Sequence, residues 1–396
     1  MRIALVGVGG YGAEYARALL YAPAGLDIEF TAGIDPYPEF SPVWADLQQR
    51  ETPIYSDLDR FYQEQQADLV VIAAPIHLHA LLTCLSLDHG AAVLCEKPLA
   101  ATVEEGLKML AAEEESGRPV AIGYQWSFST AIQLLKNDIQ AGLLGRPLRL
   151  KTLALWPRNR SYYQRNNWAG RLRMPNGDWV LDSPVNNATA HYLHNMLYIL
   201  GSQRNTSARL GQLQAEVYRA NPIQNFDAAA LRLFTEDGVE ILFYTAHPVP
   251  EKIGPVMEYE FENAVVRYRA GQEEEFIARF RDGSLKSYGS PNEGHAEKLW
   301  QMVHTLRGGP APACGIRAAL PHTCCVDALR QAPIHSFPTS MLRQQEMDGD
   351  QLMWVDGLAQ AFQQAFSAGV LPAELKTVHW AVPASRLDLS GSGLVL

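Results

Sequence analysis

Residues Gly7-Val8-Gly9-Gly10-Tyr11-Gly12 carry the spacing GxGxxG between an apolar run, 2–6, and a segment of helical periodicity, 11–21. Glycines at that spacing suit a turn that receives a diphosphate. Gly7 permits the tight bend, Gly9 leaves room for the phosphates, and Gly12 lets the helix close on the strand. Gly10 and Tyr11 complete the loop, and the helix start adds free N–H groups and partial positive charge. The triplet alone is a weak signal, with a plain strand–turn–helix as the alternative; its place between strand and helix gives it weight. Asp35 ends the second apolar run, 28–34. From there a carboxylate can accept hydrogen bonds from both hydroxyls of an adenosine ribose. It repels a 2′-phosphate, and Pro36-Tyr37-Pro38-Glu39 supplies no cation, so NAD is favoured over NADP. The competing reading is that Asp35 only opens a turn before Pro36.

Cys95-Glu96-Lys97-Pro98 follows another apolar run, 91–95. Ligands of open α/β sheets lie at the C-terminal ends of strands, so a lysine there reaches the nicotinamide end of a dinucleotide. His191 and His194 stand one helical turn apart. Such a pair can bind metal, but no third ligand of suitable spacing is evident, and no metal is expected. Residues 156–179, WPRNRSYYQRNNWAGRLRMPNGDW, are irregular and hold three Trp and two Tyr among several Arg and Asn. Aromatic faces stack on sugar rings while Arg and Asn bond hydroxyls. Arg158, Tyr163, Asn167 and Trp168 are therefore candidate contacts to a polyol, with an ordered connector or an oligomer contact as the alternative. Tyr124 and Trp126, where the first domain ends, can also line a cleft.

Positioning these residues requires an α/β chain. Strand-like runs at 2–6, 28–34, 68–74, 91–95 and 120–124 alternate with helical segments at 11–21, 79–88 and 103–116. That is the pattern of an N-terminal doubly wound parallel sheet. After residue 124 the pattern changes. Helices are expected over 131–141, 188–200, 294–306, 318–331 and 352–366. Strands dominate 210–287, with hairpin signals at Glu236-Asp237-Gly238 and Asp282-Gly283. The second part is therefore expected to be α+β, with a large, mostly antiparallel open sheet. The expected division is 1–123 for the dinucleotide domain, 124–345 for a substrate and oligomerisation domain, and 346–396 for an extension packed on the body.

A chain of 396 residues suits two domains, and 47% hydrophobic with 19% charged residues is ordinary globular composition. A net charge of -10 gives a nucleic-acid partner no support. No apolar run is long enough to span a membrane, the start does not read as a signal peptide, and five cysteines without metal spacing suit the cytoplasm.

Four features in order resemble the Gfo/Idh/MocA family of oxidoreductases: GVGGYG at 7–12, DLVVIAAPIHLH at 68–79, AAVLCEKPLA at 91–100 and HYLHNMLYILG at 191–201. The resemblance covers roughly residues 1–335, and EKP is its most specific part. It implies that Ala74, Pro75, His79 and Glu96 lie beside the cofactor. It further implies that Lys97, before a cis-proline bond, hydrogen-bonds the reacting hydroxyl, and that His191 takes the proton. The position four before His191, usually aspartate, holds Asn187, and the one three after it holds His194; both remain candidate substrate contacts. Asp182, the nearest upstream carboxylate, can supply part of the missing charge. The implied activity is hydride transfer between a sugar or cyclitol hydroxyl carbon and NAD, in a homo-oligomer (dimer or tetramer). A redox-neutral, NAD-dependent glycoside hydrolase is the alternative. A non-catalytic NAD-binding regulator is less consistent with keeping both Lys97 and His191.

Overall fold

The apolar runs of the N-terminal region become short parallel strands: β1 (Arg2–Val6), β2 (Glu29–Ile34), β3 (Ile54–Tyr55), β4 (Leu69–Ile72), β5 (Ala92–Cys95) and β6 (Val120–Ile122). They form one sheet in the order β3-β2-β1-β4-β5-β6. Every residue of β4 and β5 is buried, as expected of strands covered on both faces. The connections are helical, including Gly12–Leu20, His79–Asp88 and Val103–Ser116. The last begins with a capping box, in which the Thr102 side chain accepts from the Glu105 N–H and Glu105 returns a bond to the Thr102 N–H. The computed structural model describes residues 1–23 and 25–389.

Contacts divide the chain into two compact units. The first is Met1–Phe128 with Glu293–Leu320; the second is Ser129–Asn292 with the chain from Pro321 onward. This differs from the expected division. The first unit runs five residues past 123 and takes back a segment, with helix Glu297–Leu306, that had been placed in the second. Its reason is a buried ion pair described below.

The second unit is built on a ten-stranded, mostly antiparallel open sheet. Its strands are β7 (Pro147–Leu155), β8 (Leu210–Arg219), β9 (Ala228–Thr235), β10 (Glu240–Ala246), β11 (Ile253–Phe261), β12 (Ala264–Arg269), β13 (Glu273–Phe280), β14 (Leu285–Ser287), β15 (Ile334–Ser336) and β18 (Ser385–Asp388). The order is β14-β13-β12-β11-β7-β10-β9-β8-β15, with β18 also on β8. Both hairpin signals are realised, as β9–β10 and β13–β14. Strand β7, which carries no turn signal of its own, pairs parallel to β10 and antiparallel to β11. A separate hairpin joins β16 (Leu342–Met347) to β17 (Asp350–Val355).

The helix expected over 352–366 is corrected here. Asp348 and Gly349, with φ of 53° and 75°, close the β16–β17 hairpin, and the helix starts only at Leu358, after Gly357 at φ 77°. That helix, Leu358–Ala368, packs Leu358, Phe362 and Ala365 with Leu153, Leu155, Leu242 and Tyr244 of the sheet. On the other face Thr152 of β7 donates to the Met196 sulfur of helix Ala190–Ile199. The C-terminal region thus covers a sheet face, as an extension packed on the body would, although the division drawn at 345 cuts through β16. Near the end of the described residues, Ser385–Asp388 pairs antiparallel with β8. No helix among the described residues is long and apolar enough to cross a membrane.

Candidate functional site

In the first unit the glycine loop joins β1 to helix Gly12–Leu20. Gly7 has φ +81° and its N–H donates to the Ile34 carbonyl; a Cβ there would lie 2.5 Å from the Ala73 carbonyl oxygen. A Cβ on Gly12 would lie 1.8 Å from the Gly7 carbonyl oxygen, so this helix start tolerates no side chain. Around Gly9 no described atom comes within 4 Å of where a Cβ would stand. The N–H groups of Gly9, Gly10 and Tyr11 donate to no acceptor among the described residues. Three backbone donors without an acceptor and a helix start are thus gathered in this loop, which is the equipment of a diphosphate site. Asp35 lies beside it. One carboxylate oxygen accepts the Val8 N–H at 3.0 Å and the other the Tyr37 N–H at 2.9 Å, which fixes the group at the end of β2.

Lys97 is half-buried at the C-terminal end of β5, on the same sheet edge as the glycine loop, and its bond to Pro98 is cis. Two of the residues expected beside the cofactor hold this turn. His79 is buried, with Nδ1 2.7 Å from the Pro98 carbonyl and Nε2 2.9 Å from the Ala74 carbonyl. Burial lowers its pKa, against the pull of those two carbonyls. It therefore ties the end of β4 to the EKP turn, and Ala74 and Pro75 sit in that tie. Glu96 is also buried. It accepts the Tyr15 hydroxyl at 2.6 Å, the Lys97 N–H at 3.1 Å and the Lys298 ammonium. Burial would raise the Glu96 pKa, but Lys298 holds it below the usual carboxylate value. Lys298 comes from helix Glu297–Leu306, is itself 1% exposed, and donates further to the Tyr11 hydroxyl at 3.1 Å. The sequence reading missed Lys298; nothing local distinguishes it from a surface lysine. Tyr124 and Trp126 are buried rather than lining an open surface.

In the second unit His191 is the second residue of helix Ala190–Ile199 and is half-buried. His194 is not placed as a substrate contact: it is 1% exposed, its ring lies 5.7 Å from that of Tyr198, and burial keeps its pKa well below the usual value. Asn187 donates to Asp182 Oδ1 at 2.8 Å, and Asp182 Oδ2 accepts the Gly170 N–H at 2.6 Å. The carboxylate expected to compensate for Asn187 is therefore one hydrogen bond away from it. The aromatic segment forms a short helix, Arg160–Gln164, with irregular chain after it. Arg158 lies over the rings of Trp156 and Tyr162, and Arg165 over those of Tyr162 and Trp168. Arg158 and Trp168 are thus engaged within the segment, whereas Tyr163 and Asn167 line a cavity of about 670 Å³.

The parallel sheet, the glycine loop and the fixed Asp35 define a dinucleotide-binding α/β protein. Residues 1–124 match the model of the Gfo/Idh/MocA oxidoreductase family, described as an NAD-binding Rossmann fold. Inositol 2-dehydrogenase 2 of Saccharopolyspora erythraea is 30% identical over 154 residues, 39% of this chain and 44% of that protein. Inositol 2-dehydrogenase of Salmonella typhimurium is 29% identical over 149 residues, 37% of this chain and 44% of that protein. The matches span less than half the length of these relatives. The fold extends further. The WlbA dehydrogenase of Bordetella pertussis, solved with NADH and UDP-GlcNAcA, superposes with a TM-score of 0.70 at 22% identity over 83% of this chain and 95% of that one. UDP-N-acetylglucosamine 3-dehydrogenase GnnA of Acidithiobacillus ferrooxidans gives 0.64 at 18% identity over 82% and 95%. At these identities the likeness is one of fold.

Proposed function

We propose that the chain is an NAD-dependent oxidoreductase that transfers hydride between a sugar or cyclitol hydroxyl carbon and nicotinamide. The observation that carries this reading is the shared sheet edge, where free backbone donors for a diphosphate stand on the same side as a lysine held by buried partners. NAD, once bound, supplies the hydride acceptor. Gly9, Gly10 and Tyr11 would hold its diphosphate through their N–H groups, and Asp35 its ribose. The Asp35 carboxylate, with no Arg or Lys at 36–39, favours NAD over NADP. Lys97 would hydrogen-bond the reacting hydroxyl, and its backbone and neighbours are fixed by Glu96 and His79. The resemblance of the sequence assigns the proton to His191, whose imidazole is the kind of group that serves as a general base.

Asn187 was the reason to weigh a redox-neutral glycoside hydrolase. With Asp182 hydrogen-bonded to Asn187, negative charge is retained nearby, and the dehydrogenase reading is preferred. Sugar and cyclitol substrates are supported by the names of the relatives. A homo-oligomer remains part of the proposal, with any contact outside the sheet face that helix Leu358–Ala368 covers; light scattering measures it. The test of the activity is a screen of sugars and cyclitols for NADH formation. Turnover with one of them, reduced about 100-fold or more in Lys97→Ala, is expected. Undiminished turnover in that variant contradicts the assignment.

A further inference from the structure

The cavity of about 670 Å³ lies wholly within the second unit, and no residue assigned to NAD or to proton transfer lines it. Its volume falls in the range of roughly 300–1,000 Å³ typical of small-molecule sites. One wall is the segment from Arg160 to Arg171; the other includes Gln344 and Gln351 of the β16–β17 hairpin. The hairpin is tied to that segment where the Asp350 carboxylate accepts the Ser161 N–H at 2.7 Å.

The lining has a definite chemistry. Seven of its fifteen residues are Asn or Gln, two are Arg, and none is Asp or Glu. Some amides are already used: Asn166 accepts the Trp168 and Ala169 N–H groups, and Asn221 donates to Asp227. The side chains of Gln164, Asn167, Gln344 and Gln351 make no hydrogen bond among the described residues. Each offers both a donor and an acceptor, which is what a ring hydroxyl needs. The Tyr163 ring, Ile223 and Met353 add an apolar patch for the face of such a ring. Neither Arg171 nor Arg160 forms an ion pair among the described residues, and the Asp350 carboxylate lies near Arg160. Two guanidiniums without lining carboxylates call for an anionic ligand.

We propose that the second unit carries a saccharide pocket of its own, between the β16–β17 hairpin and residues 160–171, which takes a hydroxylated ring bearing one anionic group. The anion sits on Arg171 and Arg160, and the ring hydroxyls on the four free amides. The pocket shares Tyr163 and Asn167 with the polyol contacts expected from the sequence and so rests on the saccharide reading of that segment, but no residue assigned to NAD or to proton transfer lines it.

Calorimetric titration of the full chain without nucleotide tests this with D-glucuronate, glucose 6-phosphate and D-glucose as probes. Saturable binding of either anionic sugar is expected, about tenfold or more tighter than glucose. Which of the two binds tells whether a carboxylate or a phosphate is the natural anion. Arg171→Gln and, separately, Gln351→Ala should weaken it about tenfold while leaving thermal stability and NAD binding unchanged. Gln351 is an exposed hairpin residue, so its variant remains informative if Arg171→Gln folds poorly. Failure of both anionic sugars to saturate, equal binding of glucose, or wild-type affinity in both variants overturns the proposal. None of these outcomes bears on NAD binding, so the two readings fail separately.

Discussion

Glu96 and Lys298 illustrate what single residues contribute. Glu96 was legible as part of EKP, yet its partner lies 202 residues away, and no local pattern links them. The same distance explains why the segment from Glu293 reads in the sequence as part of the second domain, whereas its contacts group it with the first unit. A buried charge left alone is costly, whereas a paired one is tolerated. Lys298→Met should therefore lower stability by about 3–5 kcal/mol in urea denaturation, and Glu96→Gln added to it should recover most of that loss. A double variant no more stable than Lys298→Met would show that the ion pair is not the source. His247 offers a second residue-scale test. It is buried, its Nδ1–H donates to the Trp156 carbonyl at 2.9 Å, and burial with nearby Arg158 lowers its pKa to about 3. Unfolded, it titrates near 6.5, so the unfolded chain binds the extra proton first. Its contribution is present above pH 6.5 and is lost as pH falls toward 3. Between pH 7 and 5 the wild type should lose about 2 kcal/mol more than His247→Gln. Equal losses would mean that the ring is protonated in the fold.

At the scale of elements, the parallel strands were readable because a strand covered on both faces is a continuous apolar run, as Leu69–Ile72 and Ala92–Cys95 are. Hairpins β9–β10 and β13–β14 were readable from Gly-containing turns. The β16–β17 hairpin carries the equally strong signal Asp348-Gly349, but the apolar residues of 352–366 fit a helical period and masked it. Strand β7 was missed because its partners are set by a crossover and not by a turn next to it. Helix Leu358–Ala368 does for the second sheet what helices do for the first. Phe362 is fully buried between this helix and the sheet. Phe362→Ala should cost about 3–5 kcal/mol by chemical denaturation. A loss below about 1 kcal/mol would mean that the C-terminal helix does not close this core.

At the scale of the molecule, the first unit concentrates the features that sequence alone could name: the glycine loop, the carboxylate at the end of β2 and the EKP lysine. Their spacing is short and their backbone demands are strict, so each leaves a local mark. The saccharide cavity left only a compositional one, in the Trp-, Arg- and Asn-rich segment, because its second wall comes from a hairpin roughly 180 residues further along. Of the contacts proposed from that segment, Tyr163 and Asn167 line the cavity, while Arg158 and Trp168 stack within it. The central claim is that the first unit binds NAD. The direct measurement is the nucleotide content of the purified protein after denaturation, followed by fluorescence titration of any empty protein with NADH and NADPH. The account predicts either NAD(H) released in near-equal ratio to protein or saturable NADH binding, in each case with NADPH weaker by about tenfold or more. A protein that releases no dinucleotide and binds neither NADH nor NADPH would contradict it.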